Sequence, residues 1–197
     1  MAVRIEKTFR VQEPIDKVWK FLSDPRKVAA CVPGAQITEA VDDRNFKGSI
    51  SVRIGPTVTD YKGEVRIERL DAAAHEIELF GKGQDVRGKG SASMKMTGKL
   101  NAVSAGETEV VGVSEVNVVG MLAQFGARMI NDVSDVIFEE FTKNFQQQLQ
   151  QEAVAQASGS AAPPAASAPP KPVNAFSLLF SALSRFFRRI FGGAEKK

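Results

Sequence analysis

The chain has few of the residues that usually build catalytic and metal centres: among 197 residues there is one histidine, His75, and one cysteine, Cys31. A single cysteine excludes a disulfide within the chain and fits a reducing compartment such as the cytoplasm. One histidine and one cysteine are too few for a His/Cys metal cluster within one chain. We expect His75 to flank a turn and Cys31 to be a small buried apolar residue. The sequence therefore predicts no catalytic residue and no metal ligand.

Long apolar runs and a basic body are also missing. No stretch of about 20 uncharged apolar residues occurs, which argues against a membrane-spanning helix. The N-terminus alternates polar and apolar residues from Val3 to Val11, as a strand does and a signal peptide does not. Residues 1–170 carry 20 Lys and Arg against 22 Asp and Glu, whereas residues 171–197 carry six cations against one anion. Because a nucleic-acid-binding body needs a basic face, that function class is excluded for the body of the chain.

Apolar and polar residues alternate along most of the chain between residues 3 and 118, which is the periodicity of strands. Two short helices interrupt the alternation, one beginning at Pro14 and one at Asp24-Pro25. The alternating segments are 3–11, 46–54, 61–67, 77–79, 92–98 and 110–118. Strands with one apolar face and short turns between them predict an antiparallel meander whose other face is solvated.

The periodicity changes after residue 120, where an apolar residue recurs at every fourth position from Met121 to Leu149. Such a row drifts slowly around a helix, so we predict one long, curved helix over residues 121–150. The sheet has one apolar face and the helix one apolar stripe, and each can be buried only against the other. The predicted fold class is therefore α+β, with a curved antiparallel sheet wrapped around a long helix.

Composition divides the chain into a body and a tail. Residues 1–150 form the predicted globular domain, and residues 151–173 contain eight Ala and five Pro with no aromatic residue. That composition cannot form a core and predicts a disordered linker. Residues 174–192 form a predicted amphipathic C-terminal helix, and residues 193–197 form a charged tail.

The predicted C-terminal helix has one broad apolar face and an opposite face that carries serine and arginine. The predicted membrane-binding residues are Phe176, Leu179, Phe180, Leu183, Arg185, Phe186, Phe187, Arg188, Arg189, Ile190 and Phe191. A helix of this kind beyond a disordered linker is typical of one that lies in the plane of a bilayer. Docking onto a partner protein or onto the chain's own domain are the alternatives. We therefore expect peripheral binding to the inner face of the cytoplasmic membrane.

The order of strand, short helices, antiparallel sheet and long helix is similar to the helix-grip fold of the START and polyketide-cyclase (SRPBCC) superfamily. Seven segments, taken in this order, narrow the resemblance to the G-subunit family of carbon monoxide dehydrogenase. They are Pro14-Ile15-Asp16-Lys17-Val18-Trp19, Asp24-Pro25, Cys31-Val32-Pro33-Gly34, Ile54-Gly55-Pro56, Tyr61-Lys62-Gly63, Gly90-Ser91-Ala92 and Gly120-Met121-Leu122-Ala123-Gln124-Phe125-Gly126. The linker and the amphipathic end also resemble longer members of that family.

The resemblance implies an accessory protein and not an enzyme. Such a protein brings a molybdenum-containing hydroxylase of the carbon monoxide dehydrogenase type to the cytoplasmic membrane, where electrons enter the respiratory chain. Together with the expected membrane contact, this implies an isoprenoid quinone or similar lipid as ligand, and no tightly bound cofactor. The alternatives are a ligand-free recruitment or maturation factor for the same hydroxylase, and a small cyclase-like enzyme on the same fold.

The space between sheet and helix is the predicted ligand site. Its candidate lining residues are Tyr61, Met94, Met96, Leu122, Phe125 and Met129. Inward-facing glycines favour a hollow over a filled core, and they are Gly48, Gly63, Gly98 and Gly112. Methionine adapts to a flexible apolar guest, and the Tyr61 hydroxyl can donate to a carbonyl. A well-packed core without ligand is the alternative, and we expect no Asp, His or Arg at the inward-facing positions to support cyclase chemistry.

Overall fold

The computed structural model describes residues 1–54 and 57–157, so the predicted C-terminal helix and the linker beyond Ala157 lie outside the described residues. The seven strands are β1 Ala2–Val11, β2 Ala35–Ala40, β3 Asn45–Ile54, β4 Thr57–Asp71, β5 Glu76–Asp85, β6 Gly90–Ser104 and β7 Glu107–Gly120. The helices are α1 Ile15–Leu22, α2 Pro25–Cys31, a 3-10 turn Met121–Phe125, and α3 Gly126–Ala157.

The strands form one antiparallel sheet in the order β1-β7-β6-β5-β4-β3-β2, which confirms the predicted meander. β1 pairs with β7 along its whole length, from Ala2 opposite Asn117 to Val11 opposite Thr108. Helices α1 and α2 carry the chain from β1 to β2 at the opposite edge of the sheet. The sequence does not reveal β2, because this short edge strand has Ile37 as its one large apolar residue and is largely exposed.

The long helix α3 crosses the sheet and approaches β1 and β3, which lie near opposite edges. Its 32 residues span about 48 Å at 1.5 Å per residue. The prediction of one unbroken helix from residue 121 is wrong at its start. Gly120 (φ 87°) and Gly126 (φ 78°) adopt left-handed backbone on either side of the 3-10 turn, a conformation that glycine tolerates without a steric penalty.

The far end of α3 also differs from the prediction, because residues 151–157 are helical and not part of a linker. Their Gln, Glu and Ala side chains favour helix, and the first proline follows only at residue 163. The ammonium group of Lys27 in α2 lies 2.6 Å from the carboxylate of Glu152 and holds this turn against the domain. Within the described ranges, no helix has the length and hydropathy needed to span a membrane.

The tightest packing lies under the C-terminal half of α3. Phe145 (0% exposed) and Leu149 (1%) contact α1 and α2 through Val18, Phe21 and Cys31. The rings of Phe145 and Phe21 meet nearly edge-on with centroids 5.0 Å apart, a geometry that adds about 0.5–1.5 kcal/mol to the gain from burial. This half of the helix is therefore fixed to the domain, and the other half covers the region of the predicted ligand site.

Lys7 occupies a position of β1 where the alternation calls for an apolar residue, between Ile5 and Phe9. Its ammonium group pairs with the carboxylate of Asp135 on α3 and lies 5.9 Å from the centroid of the Phe138 ring. A lysine can bury its aliphatic stem while its charge stays near water. The inward position of Lys7 therefore joins the edge strand to the helix.

Candidate functional site

An apolar cluster lies where α3 begins, between the sheet and the 3-10 turn. Its buried members are Tyr61 of β4 (6% exposed), Val118 of β7 (3%) and Leu122 of the turn (9%). Partly buried side chains pack against them, namely Ile50, Val52, Ala92, Val116, Ala123, Met129, Ile130 and Val133. Three predicted site residues, Tyr61, Leu122 and Met129, are thus brought together from three different elements. We call this group the Tyr61 cluster.

A row of positions without long side chains crosses the sheet beside the Tyr61 cluster. Gly48, Gly63, Gly83 and Ala92 lie opposite one another on β3, β4, β5 and β6. A Cβ on Gly48 would come within 2.6 Å of a backbone carbonyl oxygen of β2, and one on Gly63 would collide with the backbone of β5. The close approach of bent strands therefore requires glycine at these two positions, whereas a Cβ on Gly83 would meet its nearest neighbour at 3.4 Å.

The two predicted methionines of β6 lie over other glycines of the sheet. The Cε of Met94 is 3.9 Å from the place that a Cβ on Gly81 would occupy, and the Cε of Met96 is 3.6 Å from the equivalent place on Gly112. Both side chains are half-buried. Because methionine is unbranched and flexible, these side chains fill the space above the glycines and can adapt to the shape of their neighbours.

Phe125 lies apart from the other predicted residues. It ends the 3-10 turn, and 40% of its surface is exposed. The sequence places Phe125 on the inner face of a continuous helix, but Gly126 interrupts that helix and changes its phase. The structure therefore brings Phe125 to the surface and not into the Tyr61 cluster.

Two polar residues outside the predicted set share the inner face with Tyr61. Asp85 lies directly opposite Tyr61 at the end of β5, and Thr59 precedes Tyr61 by two positions on β4. Asp85 is 6% exposed and Thr59 is 5% exposed. Burial, and then the charge of Asp85, raises the pKa of the Tyr61 hydroxyl. The expectation that no acid faces inward is wrong for Asp85. The sequence does contain a signal for it, because Asp85 has the same strand phase as the buried Ile77 of β5.

Cys31 and His75 have the structural roles expected of them. Cys31 is fully buried, and this burial, followed by the charge of Glu152, raises the pKa of its thiol to about 11. A neutral buried thiol is a poor nucleophile. His75 lies in the turn between β4 and β5, and its ring meets that of Trp19 edge-on at 5.4 Å. Among the residues that the structure describes, no group of three or more His, Cys, Asp or Glu side chains is placed to hold a metal ion.

The sequence model of the CoxG family, the G-subunit family of carbon monoxide dehydrogenase, matches residues 8–150, which include the Tyr61 cluster, Thr59 and Asp85. The chain belongs to the CoxG family. The match ends within α3, so it covers the domain and leaves the C-terminal segment outside. No curated protein matches the chain in sequence.

Solved structures share the fold of this CoxG-family chain. A conserved protein from Geobacillus kaustophilus has a TM-score of 0.69 and 18% identity, with 76% of this chain and 96% of that chain covered. A START superfamily protein from Mycobacterium smegmatis has a TM-score of 0.53 and 12% identity, with 76% and 98% covered. The Zhui aromatase/cyclase from a Streptomyces strain has a TM-score of 0.52 and 16% identity, with 81% and 99% covered. The predicted START-like helix-grip fold is confirmed, and at these identities the likeness extends to the fold alone.

Proposed function

We propose that this CoxG-family protein is a non-catalytic carrier and adaptor. It holds an apolar molecule, an isoprenoid quinone or a similar lipid, between its sheet and α3, and it binds the inner face of the cytoplasmic membrane through residues 174–192. Its partner is a molybdenum-containing dehydrogenase of the carbon monoxide dehydrogenase type. The observation that supports the ligand is the Tyr61 cluster beside the row of Gly48, Gly63, Gly83 and Ala92.

The two halves of α3 differ in how completely they are packed. Met129 and Val133 of the first half are half-buried, whereas Phe145 and Leu149 of the second half are fully buried. An apolar guest beneath the first half would remove the remaining surface of Met129 and Val133 from water. Each 100 Å² of apolar surface buried in this way contributes about 2.5 kcal/mol. A lipid-sized molecule therefore has a physical reason to bind at this end of the domain.

A quinone ligand would explain both the link of the family to a dehydrogenase and the proposed membrane contact of the C-terminal segment. The family is named for a component of carbon monoxide dehydrogenase, and oxidation of carbon monoxide releases electrons that need an acceptor. A membrane-soluble acceptor has the apolar body that the Tyr61 cluster favours, and its carbonyl can accept a hydrogen bond from the Tyr61 hydroxyl.

Native mass spectrometry and organic extraction of the full-length protein test the ligand, with decylubiquinone as the added probe. The A92F variant fills the glycine row between Gly83 and Val118, and A102F adds the same side chain at an exposed position of β6. We expect the wild type and A102F to carry or take up quinone and A92F to take up little. A wild-type protein that is empty and takes up no quinone would refute the ligand and leave the recruitment or maturation factor as the function.

The membrane contact is tested by flotation with vesicles of phosphatidylglycerol and phosphatidylcholine. Residues 171–197 carry six cations and one anion, so anionic lipid should strengthen binding. Deletion of residues 174–197 should leave the protein at the bottom of the gradient, whereas deletion of residues 193–197 alone should not. Equal flotation of both deletions would contradict a membrane role for the segment and favour docking onto a protein.

The partner is tested by capture of the molybdenum dehydrogenase on immobilised protein. Docking is assigned to the domain that the family model matches, so full-length protein and protein lacking residues 174–197 should both retain the dehydrogenase. Failure of both to retain it would remove the adaptor role while leaving lipid binding untouched.

Asp85 favours a second candidate function, that of a small cyclase-like enzyme. A buried carboxylate opposite Tyr61 provides a pair that can exchange protons with a bound molecule. In that case the chromatographic retention time of an extracted ligand should change with incubation in the wild type and stay constant in D85N, because ring closure isomerises a substrate without changing its mass. A ligand of constant retention time in both proteins favours the carrier.

A further inference from the structure

Three polar side chains form one end of the inner surface between the sheet and α3. Thr59, Tyr61 and Asp85 are 5%, 6% and 6% exposed, so each is more than nine-tenths buried. Tyr61 and Asp85 are directly opposed in the β4–β5 ladder and therefore lie on one face, and Thr59 has the same phase two residues along β4. Their cross-strand neighbours on β3 are apolar, with Val52 opposite Thr59 and Ile50 opposite Tyr61.

The hydroxyl of Thr59 has no hydrogen-bond partner among the described residues. Buried polar side-chain atoms in native proteins are nearly always paired, because an unpaired one loses its hydration without compensation. Thr108 of the same sheet differs from Thr59 in this respect. It is fully buried, and its hydroxyl donates to the carbonyl oxygen of Glu13 at 2.8 Å. Within the described ranges, the fold thus pairs the hydroxyl of Thr108 internally and leaves that of Thr59 unpaired beside the Tyr61 cluster.

Asp85 adds a strong acceptor at the same end. Its Oδ1 accepts a hydrogen bond from the backbone N–H of Arg87 at 2.6 Å, which fixes the orientation of the carboxylate after β5. An ionised carboxylate accepts about four hydrogen bonds in all and donates none. Burial, and then the charge of Asp85, raises the pKa of the Tyr61 hydroxyl, which therefore remains a donor.

We propose that Thr59, Tyr61 and Asp85 form a binding subsite for the polar end of the ligand, and that this end is a hydroxyl group. The ligand hydroxyl donates to the Asp85 carboxylate and accepts from the Thr59 hydroxyl, while the apolar body lies against the Tyr61 cluster. This proposal rests on the proposed function, because it specifies the ligand held between the sheet and α3. For a quinone ligand, the subsite binds the hydroquinone more tightly than the quinone, whose carbonyl can only accept a hydrogen bond from Tyr61.

The acceptor character of Asp85 decides between a hydroxyl and a carbonyl. A ligand carbonyl near the carboxylate would place two acceptors together in a desolvated site, which is unfavourable. A ligand hydroxyl pairs with the charged acceptor, and hydrogen bonds to charged groups are stronger than those between neutral groups. A cationic ligand would match the charge but would have to leave water for the apolar surroundings of Ile50 and Val52.

The test compares two probes that share one ring system, 2-naphthol and 2-methoxynaphthalene, by isothermal titration calorimetry with the full-length protein. We expect the wild type to bind 2-naphthol about tenfold more tightly, which is the difference expected for one hydrogen bond to a charged group. T59V and D85N keep the shapes of the side chains, and an asparagine oxygen can still accept from Arg87. D85N should reduce the preference below about threefold, because only 2-naphthol can donate to the Asp85 carboxylate. T59V should weaken the binding of both probes and keep the preference, because the oxygen of either probe can accept from the Thr59 hydroxyl. The matched controls are T108V and D60N, the second at an exposed outward position of β4.

The outcomes separate this subsite from the proposed function. Loss of the preference in D85N and weaker binding of both probes by T59V, with wild-type behaviour in both controls, support the subsite. A preference that persists in D85N overturns it, because the methyl group of the ether is then excluded by shape. T59V that binds both probes as tightly as the wild type overturns it as well. Equal binding of both probes by the wild type overturns the subsite and leaves apolar ligand binding in place. Binding of neither probe overturns both. Circular dichroism of each variant checks that the domain is folded.

Discussion

Replacement of Thr59 by valine tests the buried polar end of the domain without any knowledge of the ligand. Valine has nearly the shape of threonine, with a methyl group in place of the hydroxyl. Thr59 is 5% exposed, and its hydroxyl has no hydrogen-bond partner among the residues that the structure describes. Leaving a hydroxyl buried and unpaired costs about 1–3 kcal/mol. T59V should therefore raise the free energy of unfolding of ligand-free protein by roughly 1 kcal/mol, the lower end of that range.

Thr108 provides the matched control, because it is equally inaccessible but donates its hydroxyl to the Glu13 carbonyl at 2.8 Å. T108V removes this bond and should lower the free energy of unfolding by about 1–2 kcal/mol. In a domain of this size 1 kcal/mol corresponds to about 2–4 °C in Tm, so the two variants should shift Tm in opposite directions. The assay is thermal unfolding followed by circular dichroism, on protein that native mass spectrometry shows to be ligand-free. A fall in Tm for T59V as large as that for T108V would refute the reasoning, because the Thr59 hydroxyl would then have a partner in solution.

The close strand approach at Gly63 predicts that G63A lowers the free energy of unfolding by about 2–3 kcal/mol, because its Cβ would meet the backbone of β5. G106A, in an open turn, should change it by less than about 1 kcal/mol, and similar urea midpoints for the two variants would contradict the geometry. The pKa of Cys31 rises from 9.0 to about 11 on folding, so the unfolded thiol ionises first and stability should fall between these pH values. Urea unfolding of wild type and C31A should show a shallower alkaline loss in C31A, and identical slopes would count against this. A double-mutant cycle of K7M and D135N should give a coupling energy of about 0.5–1 kcal/mol, because the paired side chains are 26% and 61% exposed. A coupling above about 2 kcal/mol would mean that the pair is far less screened by solvent than its exposure implies.

Local patterns were sufficient for most of the sheet and insufficient at its edges. The central strands alternate cleanly because one face packs on the interior and the other meets water, so β3, β4, β6 and β7 follow from the sequence. The edge strand β2 buries little and carries no such signal. Lys7 breaks the pattern of β1, and the reason lies on α3, in Asp135. A contact between residues so distant in sequence leaves no periodic trace in either segment.

The candidate site is also only partly predictable from local sequence patterns. Tyr61, Leu122 and Met129 could be named from phase and residue type, and the structure brings them together. Helical phase alone misplaces Phe125, because the left-handed backbone at Gly126 resets that phase and a sequence does not specify the φ of a glycine. The alternation along β5 points Asp85 inward, but an acid at the end of a glycine-rich strand equally resembles a turn residue, and only its position opposite Tyr61 distinguishes the two.

Residue order and local periodicity are enough to establish the fold class, the family and the separation of a nearly neutral domain from a basic, phenylalanine-rich end. The register of the strands, the break before α3, and the assembly of Thr59, Tyr61 and Asp85 at one buried end emerge only in three dimensions. The physical reason is that burial and hydrogen-bond pairing are properties of three-dimensional neighbours. Whether a threonine hydroxyl is satisfied, as at Thr108, or left without a partner in the described part of the chain, as at Thr59, depends on which backbone passes beside it.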